Sequence, residues 1–568
     1  MIRMVIFSFL LGIFFINWYP PIWKKKFRTR RFITTQIIRY ILGSLYAFIL
    51  LYFHLLDQTF LALFYWIGSI FFLVIIIDGI RCLAAYENER RIPIAMIGVN
   101  IGSIALISFI FLWTIYPFAI AQDRHDFMKK FVKTKETTEN MSPTNEQHIP
   151  VVPREYARYK MEKILGKVKN YSYYDLEEPY IQKINNRLYW IAALNHKSFF
   201  KWLNTDGVPG YMKMSAEDHQ SEAQFVAHSI KYVPSGYFSE NLIRLARTKY
   251  PDLIFMQPSF EPDENGKPYY ALSYGSYHKM RNIRSVEGVI LIDPANGQMK
   301  KYPMKQVPSF VDQVVPHDIA YDYNYWFGKY KHGFWNSILG KTDVHVPPEE
   351  FVAVFDHRLH MYWATDHTRD EENAGSMVGY SMLNSRTGEL NYYSKTNGMI
   401  NGTTAMNVVE KTFREKQWHG ASPILYYIYG QYTWIVPALD SNNVIRKIVL
   451  VNAKDEKVIG HGDSKQEAFD QYQYAISTNF NGDSATPTPN AKLAQTKGKV
   501  TAVYKNQQAD ETYVQFLIEG NNHIFTMSSK NNPYIIFLET GHEVDLRYIE
   551  TKQTIVATKQ VKNLTLKK

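Results

Sequence analysis

The chain has 568 residues, 46% hydrophobic and 15% aromatic, with a formal net charge of +11. Its length exceeds one compact domain, and an aromatic content that includes 41 Tyr excludes a disordered chain. The charge is unevenly placed: residues 1–120 hold 11 Lys and Arg against 4 Asp and Glu, leaving 53 against 49, or +4, for the remainder. The basic balance is thus no nucleic-acid signature, and a single cysteine, Cys82, excludes a disulfide framework.

Four apolar segments come first, at residues 2–18, 32–53, 59–80 and 93–120. Each approaches or exceeds the ~20 residues that a helix needs to cross ~30 Å of hydrocarbon, so residues 1–120 read as a four-helix membrane anchor in the lipid bilayer. Arg3 before an apolar run has the form of a signal peptide. However, Asn17-Trp18-Tyr19-Pro20-Pro21 offers no small-residue cleavage site, which favours retention. The loop "KKKFRTRR" (residues 24–31) carries six positive charges and "RCLAAYENERR" (residues 81–91) three Arg, whereas "HLLDQ" (residues 54–58) has no Lys or Arg. The positive-inside rule places the two basic loops in the cytoplasm and everything after residue 120 outside it. Asp78, His54 and Asn100 fall within or beside these segments. The position of Asp78 near a span's end and of His54 beside a loop predicts interfacial placement.

Residues 121–150 include the polar, Pro-containing run "TKETTENMSPTNEQHIP" and read as a tether. Residues 151–480 hold amphipathic helices followed by strands. "REYARYKMEKILGKV" (residues 154–168) precedes "PYIQKINNRLYWIAALN". "SENLIRLARTKYPDL" (residues 239–253), with Ser239 as N-cap, precedes a hairpin turning at Asn265-Gly266. "TTAMNVVEKTFREKQW" (residues 403–418) precedes "ILYYIYGQYTWIVPALD". The unit is an α+β one, a helix packed on an antiparallel sheet, repeated about four times.

One short pattern recurs within it. Ile292-Asp293-Pro294-Ala295-Asn296-Gly297-Gln298-Met299 matches Leu383-Asn384-Ser385-Arg386-Thr387-Gly388-Glu389-Leu390 and Val451-Asn452-Ala453-Lys454-Asp455-Glu456-Lys457-Val458; a fourth match near Met214–Asp218 lacks the Gly. Asp and Asn shape turns through their own backbone, and Gly supplies positive φ. A catalytic Asp would not be Asn in two of three copies, so Asp293 is expected to be structural. The helix-then-hairpin unit ending in this pattern resembles the PepSY domains of bacterial envelope proteins. The resemblance implies a membrane-attached interaction or inhibitory module, and it carries no catalytic residues.

Residues 481–492, "NGDSATPTPNAK", read as a linker, and residues 493–568 as about five strands in a small all-β barrel of OB or SH3 type. Its 10 Lys and Arg against 7 Asp and Glu are a weak excess, which argues against nucleic acid as a partner. "DHRLHMYWATDH" (residues 356–367) is the densest group of metal-ligand types. On a strand, Asp356, His360 and Asp366 share one face while His357 and His367 share the other, and a split set does not converge on a metal. The aromatic strands "YYIYGQYTW" and "YYALSYGSY" suit glycan or extended peptide, or else sheet faces covering helices. No catalytic, cofactor-binding or metal-ligating residue is assigned. The expected protein is a multi-pass membrane protein of a bacterial, Gram-positive-type envelope, binding or scaffolding an envelope protein or wall component. A wall-polymer hydrolase and a nucleic-acid-handling envelope protein are the alternatives. The oligomeric state is open.

Overall fold

A computed structural model describes residues 2–18, 29–85, 92–142, 148–349, 351–371, 374–479, 493–508, 511–529, 532–549 and 555–566. The linker at residues 481–492 lies outside them. Among the described residues, three helices are long and apolar enough to cross a membrane: Phe32–Phe53, Phe60–Ala84 and Ile94–Thr114. The first apolar segment forms a helix over Ile2–Phe15. It is shorter than the other three, about 21 Å at 1.5 Å per residue. Asp78 is not a lone interfacial carboxylate. Arg39 of the preceding span reaches it at 2.7 Å, and its side chain is buried. Pairing of this kind offsets the cost of burying a charge.

The described residues of 121–150, namely 121–142 and 148–150, depart from the expected tether. Helix Ala121–Phe131 continues from the last span and buries Phe127 and Met128 against helix His317–Lys329. Strand Lys135–Thr137 then pairs in parallel with Leu390–Tyr393, and Met141 and Ile149 are buried. Backbone pairing of three polar residues leaves no apolar periodicity, which is why this segment reads as a loop in sequence.

Four α+β units follow. In the first, helix Arg154–Leu165 precedes strands Tyr180–Ile184, Arg187–His196, Val208–Ser215 and Gln224–Ile230. In the second, helix Leu242–Lys249 precedes Ile254–Phe260, Tyr270–His278, Ile283–Ile292 and Met299–Pro303. In the third, helix His317–Lys329 precedes Val352–Phe355, Met361–Arg369, Met377–Asn384 and Leu390–Tyr393. In the fourth, helix Gly402–Thr412 precedes Ile424–Ile428, Gln431–Leu439, Ile445–Asn452 and Ile459–Gly462. Within each unit these strands run as an antiparallel meander. The caps differ from expectation: Asn241, not Ser239, caps the second helix by accepting from the Arg244 N–H at 2.9 Å, and Asn401 caps the fourth in the same way.

The recurring turn joins the third and fourth strands of every unit, and its polar residue does one job throughout. Asp293 accepts from the Ala295 N–H at 3.0 Å, Asn384 from Arg386 and Thr387, and Asn452 from Lys454 and Asp455. Ser215 accepts from Glu217 and Asp218 with its hydroxyl, both at 3.2 Å. The Asp293 turn is structural. Gly297 and Gly388 have φ of +72° and +73°, whereas no left-handed residue occurs between Asn452 and Val458. Positive φ therefore belongs to two of these turns only.

The units share cores instead of owning them. Tyr156 and Met161 of the first unit lie in one cluster with Leu242, Tyr270 and Ile292 of the second. Tyr380 of the third joins Trp434 and Leu450 of the fourth, where helix Lys465–Asn479 adds Phe469 and Tyr472. After the linker, strands Leu493–Gln508, Glu511–Ile518, Ile524–Ser528, Glu543–Ile549 and Ile555–Asn563 close a barrel around Val514, Phe516, Phe525 and Leu546.

The anchor is docked to the second unit. Arg281 grips the buried Asp57 carboxylate with two N–H groups at 3.0 and 2.8 Å. Arg247 donates to the Leu55 carbonyl and Arg244 to that of Tyr52, both at 3.0 Å. The loop at residues 54–59, between two spans, thus sits against the β-rich region.

Candidate ligand-binding cavity

Register aligns the four units more closely than the turn alone. Trp190 pairs with Met214, Tyr270 with Ile292, Trp363 with Leu383 and Trp434 with Val451, each partner lying one residue before the turn residue. The three tryptophans also fix their indole N–H groups alike. Trp190 donates to the Val152 carbonyl at 2.8 Å, Trp363 to Val315 at 2.8 Å and Trp434 to Ile400 at 2.9 Å. Each acceptor lies two residues ahead of its own unit's helix. The bond ties the second strand to the helix entrance and holds the ring in one orientation.

These three rings line a cavity of about 700 Å³ to which all four units contribute. Its size lies within the range of small-molecule sites, which are mostly apolar with a few placed polar groups. Its buried polar groups include Asp366, Gln313 and Tyr380, and Gln257 and His317 also line it. The Gln313 Nε2 amide is buried without a hydrogen-bond partner, and the Tyr380 hydroxyl is buried beside the Leu425 backbone. An unpartnered buried group is uncommon, because it forfeits hydration without compensation. Asp366 accepts the Gly402 N–H at 3.2 Å, at the first turn of helix Gly402–Thr412. Burial pushes its carboxyl up, and the Gly402 bond opposes this. Arg154, Glu178 and Glu349 also line the cavity, and both glutamates are exposed.

Gln313 is positioned by a buried junction between units. Its backbone N–H donates to Glu261 Oε1 at 3.1 Å, beside the Ser259 hydroxyl at 2.8 Å. Glu261 Oε2 accepts from Gln182 at 2.7 Å and from the Asp312 N–H at 3.3 Å. Asp312 Oδ2 in turn accepts the Lys183 N–H at 2.8 Å. Burial, and then the neighbouring Asp312 charge, raises the Glu261 carboxyl above its ordinary value.

The His and Asp residues of 356–367 do not come together. Asp356 closes a turn, accepting from Arg358 and His360 backbone N–H groups and contacting His360 Nδ1. Asp366 faces the cavity, while His367 Nδ1 meets His345 Nδ1 at 2.8 Å in the core. His367 Nε2 lies 3.1 Å from Asn324 Oδ1. Donation to that oxygen leaves Nδ1 of His367 to accept from the His345 Nδ1–H, which requires the His367 ring to be neutral. Burial lowers both, His345 to about 4. The aromatic strands mostly cover core: Tyr426 is fully buried, and of that run Trp434 reaches the cavity. Gln313 and Tyr380 carry no motif and escaped sequence reasoning; the repeated Tyr-Trp, Tyr-Tyr, Tyr-Trp and Thr-Trp pairs near the start of each second strand were the available signal.

No protein-family model matches the sequence, and neither a curated protein nor a solved structure is significantly similar to it. The cavity combines aromatic walls with the buried Asp366 carboxyl, the Gln313 amide and the His317 ring, and with Arg154, Glu178 and Glu349 also in its lining.

Proposed function

We propose that this is a multi-pass protein of a bacterial cell envelope whose large C-terminal region lies outside the cytoplasm and binds another envelope component. The observation that carries the reading is the four-unit cavity, with its fixed tryptophans and the unpartnered Gln313 amide. The ligand is an apolar body bearing groups that accept from Gln313 and bond Tyr380 and Asp366; a segment of an envelope protein or wall component meets that description. The four units are PepSY-like interaction modules in this reading, supported by the repeated helix, meander and turn. The terminal barrel is OB-type, supported by five strands and the parallel pairing of Ile524–Ser528 with Ile555–Asn563. Orientation is supported by the basic loops at 24–31 and 81–91, by the docked loop at 54–59, and by Arg3 reaching Asp252 at 3.9 Å.

A photo-crosslinking residue at Met406, on the cavity wall, tests the reading in intact cells. It should capture one discrete component, and a copy at the barrel's exposed Tyr504 should not. Reaction with water alone at Met406, in folded and membrane-inserted protein, would refute a binding cavity.

A further inference from the structure

Two surface patches beside the membrane spans expose large apolar side chains. One is the short helix Phe199–Leu203 with Tyr237 and Phe238, where Phe200 is 72% and Leu203 60% exposed. The other is the turn of helix at residues 333–340, where Trp335 is 71% and Leu339 76% exposed. Scattered apolar residues on a surface are ordinary, but clusters of this kind mark an interaction face.

Their positions say which. The Arg244 guanidinium bonds both the Phe238 carbonyl, at 2.7 Å, and the Tyr52 carbonyl, at 3.0 Å. The first patch is therefore within one side chain's width of the end of span Phe32–Phe53. In the second patch, the Phe334 ring lies 5.0 Å from Phe118, just beyond the end of span Ile94–Thr114. The hairpin tip at Met280 accepts the Tyr65 hydroxyl at 3.3 Å. Tyr65 is five residues into span Phe60–Ala84, about 7 Å along its axis. Side chains on a helix lean toward its N-terminus, so the tip lies against the Phe60 end of this span. Trp202 adds the polar-tipped ring typical of a membrane interface, its indole N–H held by Glu240 at 2.8 Å.

We infer that these two patches and the Met280 tip insert into the interfacial layer of the same bilayer, so that the β-rich region rests on the membrane surface on two hydrophobic feet. The occupant is lipid, because both patches are continuous with the ends of the membrane spans. Partial insertion offsets the exposure of Phe200, Leu203, Trp335 and Leu339 and holds the cavity at a set height and tilt above the lipid.

The test uses the full chain in nanodiscs of phosphatidylcholine and phosphatidylglycerol. Phe200→Cys and Leu339→Cys, each in a Cys82→Ala background, carry a nitroxide, with Tyr504→Cys in the barrel as the aqueous control. Both patch labels should show oxygen accessibility raised and nickel-chelate accessibility lost relative to the control. Nickel accessibility equal to the control at either position would overturn the inference. So would an immobilised label shielded from both reagents, which would indicate a protein partner or a second copy. Retained detergent-free insertion and an unchanged circular-dichroism spectrum identify folded variants, and both sites are exposed enough to accept cysteine.

Discussion

Gly297 and Gly388 share one backbone conformation, with φ of +72° and +73°, but not one environment. A β-carbon on Gly388 would meet Val315 Cγ2 at 3.6 Å, an ordinary contact. On Gly297 it would lie 2.9 Å from Leu245 Cδ2 and 3.0 Å from Tyr232 Cε2. An alanine in the left-handed region costs about 1–2 kcal/mol, offset by about 0.4–1 kcal/mol from a stiffer unfolded chain. Gly388→Ala should therefore weaken its turn by about 1 kcal/mol. Gly297→Ala should cost about 1 kcal/mol more, since overpacking adds to the strain. Leu245 has a flexible end, but Tyr232 is anchored by its N–H to the Pro294 carbonyl at 2.8 Å. Hydrogen exchange of the full chain in detergent reads the difference locally. Amides of strand Met299–Pro303 should exchange roughly 30-fold faster in Gly297→Ala, and those of Leu390–Tyr393 about 5-fold faster in Gly388→Ala. Glu456, at the equivalent position of the fourth unit, is not left-handed. Glu456→Gly should thus destabilise by about 0.5–1 kcal/mol through chain entropy. Equal acceleration in the two alanine variants, or slower exchange in Glu456→Gly, would refute the assignment of strain.

Three further outcomes are expected. Tyr270→Phe removes a buried hydroxyl that has no partner, so it should be neutral or stabilising by about 1 kcal/mol, whereas Trp363→Phe orphans the Val315 carbonyl and should cost about 1–3 kcal/mol, both read as urea midpoints. Arg281→Ala leaves Asp57 buried without its cation and should loosen the 54–59 loop by about 3 kcal/mol, seen as cleavage there by external protease with the units still folded. The unfolded chain binds protons near pH 6.5 that the folded His345 resists down to about 4, so stability should fall as pH drops through that window, by up to about 3 kcal/mol, and His345→Leu should flatten the decline.

The parts of this molecule legible in sequence are those that one local pattern dictates. Length and apolarity alone marked Phe32–Phe53, Phe60–Ala84 and Ile94–Thr114. Turn chemistry marked Asp293, Asn384 and Asn452, because a side chain bonding its own backbone needs no distant partner. Helix His317–Lys329 was missed: its buried face is Tyr323, Trp326 and Phe327 interleaved with Asp and Asn, a composition that reads equally well as strand or loop. Strand Lys135–Thr137 was missed because its partner lies more than 250 residues away. The cavity was out of reach for a different reason. Gln313, Tyr380 and Asp366 come from a connecting segment and two strands, and they converge only because the units share cores and meet at their helix entrances. Each entrance is fixed by a tryptophan in Trp190, Trp363 or Trp434, and the second unit has Tyr270 there instead. That unit is also the one that grips the membrane loop through Arg244, Arg247 and Arg281. One copy of the repeat has thus become the base of the assembly, while the other three supply the tryptophan walls of the cavity.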